Sequence, residues 1–126
     1  MQPALIRVIV IDANTQSRQR TVALIATEPD IEVAGVARSG TEGLRLANAV
    51  EPSVVLLSPN AYEGNVLDLI RHMVAEWPSL YIILITRSSD AQFLQNAILA
   101  GAKLFLPQPP GADKLLSAIR ASASSE

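Results

Sequence analysis

Residues 53–60 read SVVLLSPN. Four apolar residues, Val54 to Leu57, run unbroken into Ser58, and Pro59 stops the pattern. A strand with one wet face alternates polar and apolar side chains. An unbroken run needs cover on both faces, as in a parallel sheet. Four further runs share the aliphatic character: ALIRVIVI (4–11), IEVAGVA (31–37), LYIILIT (80–86) and KLFL (103–106). They recur at intervals of roughly 25 residues, which leaves room for one helix between each pair.

Those intervals carry helix signals. NTQSRQRTVALIAT (14–27) opens on good capping residues and ends in aliphatics. SGTEGLRLANAV (39–50) begins with Ser39 and Glu42 at capping-box spacing. GNVLDLIRHMVAEW (64–77) is amphipathic and stops at Pro78. DAQFLQNAILAG (90–101) ends on Gly101, an expected left-handed cap. GADKLLSAIRAS (111–122) closes the chain. The reading is (βα)5: an α/β, doubly wound, five-stranded parallel sheet with right-handed crossovers and helices on both faces. One domain is expected over residues 1–122. Residues 123–126 are read as a frayed tail or as the start of a linker.

Composition narrows the function classes. The chain has 126 residues, 49% hydrophobic and 17% charged, which suits one domain with a substantial core. Only 4% are aromatic, so that core is aliphatic. A formal net charge of -2 supplies no cationic surplus for a phosphate backbone, and direct nucleic-acid binding is not expected. The absence of cysteine excludes disulfides, thiolate catalysis and cysteine metal sites, and is compatible with the cytoplasm. The opening MQPALIRVIVID has a short apolar run that contains Arg7, and reads as a strand rather than a signal peptide. No window approaches the ~18 apolar residues that cross a bilayer, so no membrane association is expected.

A sheet of this kind places its site outside the C-terminal ends of the strands, where the strand order switches. The residues delivered there are Asp12, Ser58, Thr86 and Gln108.

Four stretches resemble the CheY-like receiver domain of bacterial response regulators. They are IRVIVIDANTQSRQ, EPDIEVAGVARSGTEGLRLA, IILITRSSD and AILAGAKLFLPQPP, and the likeness spans residues 5–120. The resemblance implies a flavodoxin/CheY-like sheet of order 2-1-3-4-5 in a cytoplasmic two-component phosphorelay protein. It implies a phosphoryl group passed from a histidine kinase to an aspartate at the end of strand 3. Mg²⁺ lies between that aspartate and an acidic pair after strand 1, and a lysine after strand 5 contacts the phosphoryl oxygens. A strand-4 hydroxyl and a strand-5 aromatic then move together and alter the face made by helix 4, strand 5 and helix 5.

This chain departs from that pattern where the chemistry lies. Asp12 fits the first acid, but the second position is Ala13. Ser58 stands at the phosphoacceptor position, and Gln108 replaces the lysine. Thr86 and Phe105 retain the hydroxyl and aromatic of the switch, and Pro109 retains the proline that is often cis in the family. The loop SPNAYEG is shorter than its counterpart in the family.

Phosphoryl transfer to a carboxylate needs the carboxylate, a divalent ion and a cation on the transferred oxygens. Mg²⁺ wants oxygen ligands, usually carboxylates, so Asp12 alone is a weak anchor and no metal or cofactor is expected. Ser58 would need an activating base, and the single histidine, His72, falls mid-helix, facing solvent or a helix neighbour. The chain is therefore read as a pseudo-receiver and not as an enzyme. The simplest expectation is that Ser58, Thr86 and Gln108 hydrogen-bond one another. Loss of the acidic cluster also removes like-charge repulsion and should make the domain more stable and less switchable.

With the phosphate gone, function moves to the surface. Ala91, Leu94, Ala97 and Ile98 form the expected core stripe of the fourth helix. At about 100° per residue, Leu99 falls well off that stripe and Phe93 lies at its edge. Phe93 and Leu99 are thus interface candidates on the helix 4–strand 5–helix 5 face, with partial burial inside the monomer equally open for Phe93. The stretch FLQNAILAGAKLFLPQPPGADKLLSAIR (93–120) further resembles the N-terminal receiver-like domain of CpaE/TadZ-type pilus-assembly proteins. There the receiver precedes a MinD-like ATPase; no G-x-x-x-x-G-K-[ST] occurs in this chain. Two function classes remain. One is a phosphorylation-independent interaction module, working through a protein partner, a homodimer or a C-terminal ATPase or other effector. The other is a sensor that binds a small ligand in the crevice.

Overall fold

The computed structural model describes residues 5–61 and 65–124. Its elements alternate: β1 (Ile6–Ile11), α1 (Thr15–Ala26), β2 (Ile31–Ala37), α2 (Gly40–Val50), β3 (Val54–Leu57), α3 (Val66–Glu76), β4 (Tyr81–Thr86), α4 (Ala91–Ala100), β5 (Leu104–Pro107) and α5 (Ala112–Ser124). A short 3-10 turn at Pro59–Ala61 follows β3. All strands are parallel, in the order β2-β1-β3-β4-β5. The expected tail begins inside α5, which runs to Ser124; residues 125–126 lie outside the described residues.

The unbroken aliphatic runs are the central strands, and successive side chains go to opposite faces. Ile9, Ile11, Val55, Leu57, Ile82 and Leu84 pack on one face, against α2, α3 and α4 through Ala47, Ile70, Met73 and Ala97. Val8, Val10, Val54, Leu56, Ile83 and Ile85 pack on the other, against Ile25 of α1 and Leu115 and Ile119 of α5. Each fully buried Leu or Ile side chain contributes about 1.5–3 kcal/mol through removal of apolar surface from water.

Local signals fix the element ends. Asn14, Asn65 and Asp90 cap α1, α3 and α4 through their side-chain oxygens. The capping box at Ser39 forms by half. Ser39 Oγ accepts from Glu42 N–H at 3.1 Å, while Glu42 Oε1 accepts from Arg38 N–H instead of closing back on Ser39. Gly101 ends α4 at φ +131°, where side-chain-bearing residues are strained. Arg7 on β1 donates to Val50 O at the end of α2 and pairs with Glu32 on β2.

Arg120 ties α5 to the α1–β2 connection, binding Asp30 at 2.8 Å and Glu28 at 2.6 Å. The guanidinium hydrogen bond holds the Asp30 carboxyl below its ordinary range. A lowered folded-state pKa means the contact favours folding at neutral pH. That contribution fades as the pH falls through the lowered value.

The register contains one irregularity. Val8 pairs with Val33 but Ile9 pairs with Gly35, so Ala34 is an extra residue in the outer strand β2. The fourth helix also differs from expectation. Ile98 is 40% exposed and Ala91 is exposed, so neither belongs to a core stripe. Phe93, Ala97 and Ala100, at i, i+4 and i+7, face the core instead. Five of the ten residues of this helix are apolar or aromatic beyond its two outer alanines, so periodicity alone permits either stripe.

Candidate functional site

One further ladder hydrogen bond fixes three of the four strand-end residues. Asp12 N–H donates to Ala37 O at 3.0 Å, Ser58 N–H to Ile11 O at 2.9 Å, and Gln108 N–H to Thr86 O at 3.1 Å. Thr86 is the last residue of β4. The sheet thus brings Asp12, Ser58, Thr86 and Gln108 to one edge, as the sequence implies. Asp12, Ser58 and Thr86 are buried there, at 2%, 5% and 7% exposure.

They do not form a single polar network. Thr86 Oγ1 accepts from Ser88 N–H at 3.0 Å, and no side-chain hydrogen bond joins Ser58, Thr86 and Gln108 to each other. Gln108 Oε1 is buried without a donor. The expected mutual satisfaction is therefore absent. The three side chains stand around a crevice of about 200 Å³, also lined by Asn60, Arg87 and Ser88, rather than closing on one another.

The hydrogen bonds gather on Asp12. Its Oδ1 accepts from Asn14 N–H at 2.9 Å and from Asn60 Nδ2 at 3.1 Å; its Oδ2 accepts from Ser17 Oγ at 2.5 Å. Asn60 Oδ1 in turn accepts from Ala13 N–H at 3.2 Å. The Asn60 amide therefore clamps the loop after β1 to the turn after β3. A buried carboxylate requires such donors, since an unpaired charge away from water is costly. That requirement is the signal by which Ser17 and Asn60, unremarked in the sequence, could have been sought.

A divalent ion does not fit these residues. Both Asp12 oxygens are engaged, Ala13 offers no ligand, and Ser58 is neutral. Among the described residues no three acidic or histidine side chains converge. His72 is exposed on α3 and does not line the crevice, so Ser58 has no base there.

The switch and interface candidates separate. Phe105 on β5 is 43% exposed, opposite Leu84 in the ladder. Phe93 is half-buried and packs against the α2–α4 side of the core. Leu99 is 76% exposed. The Gln108–Pro109 peptide is cis.

A family model described as the response regulator receiver domain matches residues 8–120. The chain belongs to this family. The transcriptional regulatory protein LiaR of Bacillus subtilis is 32% identical to the receiver over 97% of this chain and 58% of its own length. A protein-glutamate methylesterase/protein-glutamine glutaminase of Moorella thermoacetica is 31% identical over 87% of this chain and 26% of its own length. The receiver thus spans little more than half of the one relative and about a quarter of the other. Among solved structures, the signal receiver domain of the putative regulator NarL from Mycobacterium tuberculosis superposes with a TM-score of 0.91 at 22% identity, over 98% of this chain and all (100%) of that one. The fold and the strand-end placement persist, and the residues delivered to the strand ends in this chain are Asp12, Ser58, Thr86 and Gln108.

Proposed function

We propose that this receiver domain acts in two-component signalling by protein–protein contact, without being phosphorylated. The observation that carries the reading is the state of its acids: the one carboxylate at the strand ends, Asp12, is held by three donors, and β3 delivers the neutral Ser58. A phosphoryl donor meets no ionised nucleophile at Ser58, and the side chains beside it offer no free carboxylate to hold an ion that would organise its oxygens. The domain is read as non-enzymatic. The test is incubation with acetyl phosphate and Mg²⁺, followed by intact mass. An unchanged mass is expected, and a stoichiometric phosphoryl adduct on Ser58 would overturn the reading.

The contact surface we favour is α4–β5–α5. Three of the five exposed large apolar side chains among the described residues, Ile98, Leu99 and Phe105, lie on α4 and β5. A homodimer through this face is expected to become monomeric in light scattering on Leu99→Glu. At 76% exposure that change should leave the melting temperature close to the parent's. A parent that is already monomeric would sink the homodimer. The likeness of residues 93–120 to CpaE/TadZ-type proteins supports an ATPase as the effector attached in a full-length protein. No helix among the described residues is long and apolar enough to cross a membrane, which agrees with the cytoplasmic setting proposed here.

A further inference from the structure

We infer that the crevice at the ends of β3, β4 and β5 binds a small hydroxycarboxylate non-covalently. This goes beyond contact signalling and does not depend on it. Four observations define the ligand. Gln108 lines the crevice and its Oε1 is a buried acceptor with no donor; leaving such a group unsatisfied is unfavourable, so a turn of the amide toward an O–H or N–H of a ligand is favoured. Ser58 Oγ and the Thr86 hydroxyl proton are not committed to each other or to Gln108, so both can donate to a ligand oxygen. Arg87 stands at the mouth with no acidic partner among the described residues, and favours a negative charge there. The nearest strand-end acid, Asp12, does not line the crevice and has both oxygens occupied.

These requirements select against the alternatives. An ammonium group would find only neutral oxygens and the repulsion of Arg87. A divalent ion would find no free carboxylate. A hydroxyl at Gln108 with a carboxylate toward Ser58, Thr86 and Arg87 gives each of these groups a partner. The crevice of about 200 Å³ holds roughly six water-sized groups, the size range of glycolate and lactate, with malate at the upper limit.

The crevice also connects to the proposed contact face. Ser88 N–H donates to Thr86 Oγ1, Asp90 N–H donates to Ser88 Oγ at 3.2 Å, and Asp90 caps α4. A ligand that engages Thr86 or Ser88 therefore acts on the segment that starts α4.

The test is NMR titration of the receiver with glycolate, D- and L-lactate, malate and, as the hydroxyl-free control, propionate. At least one hydroxycarboxylate is expected to shift the Gln108 side-chain amide saturably. Propionate is expected to bind at least tenfold more weakly. Arg87→Ala should weaken binding about tenfold, and Gln108→Leu should abolish the preference over propionate. Arg87 is exposed, so its removal leaves the fold intact as a control for stability. Absence of a saturable shift with all four hydroxycarboxylates overturns the inference, as does equal binding of propionate. Because the acetyl phosphate experiment reads a covalent adduct and this one a reversible shift, either reading can fail alone.

Discussion

At pH 7, Ser58→Asp lowers the melting temperature of this receiver by roughly 10 °C, taking about 4 °C per kcal/mol for a chain of this size. Ser58 is 5% exposed, so a carboxylate fixed there loses most of its hydration, and the cation lining the same crevice, Arg87, is solvent-exposed and screened. Asp12 already carries a buried negative charge at the same end of the sheet. Desolvation and like charge both disfavour ionisation, and together cost about 2–3 kcal/mol. The sign follows from linkage. The folded-state pKa of the introduced acid is raised above its unfolded value near ~4, so the penalty is complete above the raised value and absent below the unfolded one. The gap between variant and parent should close as the pH is lowered toward 4. Ser58→Asn, with similar volume and no charge, is the control. Equal melting of the Asp and Asn variants at pH 7 would show that charge is not the cause.

Gly101→Ala is expected to cost about 2–3 kcal/mol, again roughly 10 °C. Two penalties add. At φ +131° an L side chain is strained, and a Cβ there would stand 2.5 Å from Val74 Cγ2 of α3. The components separate in the double variant Gly101→Ala/Val74→Ala, where the collision is relieved and the backbone strain is not. Partial recovery in urea unfolding supports the account; full recovery would assign the whole effect to packing.

The architecture was legible because its two periods are strong. Unbroken Val/Ile/Leu runs admit few alternatives to covered parallel strands, and caps such as Asn14, Ser39 and Asp90 mark the helices between them. The helix-4 stripe was not legible, because Phe93, Leu94, Ile98 and Leu99 crowd the helix and only docking onto α3 selects a face. The chemical identities at the strand ends could be read directly: Ala13, Ser58 and Gln108 are visible as residue types. Their hydrogen bonds could not. Whether a polar side chain turns to its neighbour or to a crevice depends on rotamers, and here Asp12 took its donors from Asn14, Ser17 and Asn60 while Gln108 took none. The extra residue at Ala34 left no mark either, since a bulge in an apolar strand alters pairing without altering pattern.

That bulge bears on how copies of the domain can meet. A sheet with two free margins can grow by accepting a strand from another molecule, the route to fibres. Here the β2 margin is broken into two runs of three paired residues by Ala34. The β5 margin is four residues long and ends in Pro107, which has no N–H to offer. Neither border presents a long, regular template. Strand-to-strand polymerisation is thereby discouraged at both ends of the sheet, and crowding drives copies toward side-chain contact, which is finite, reversible and open to control.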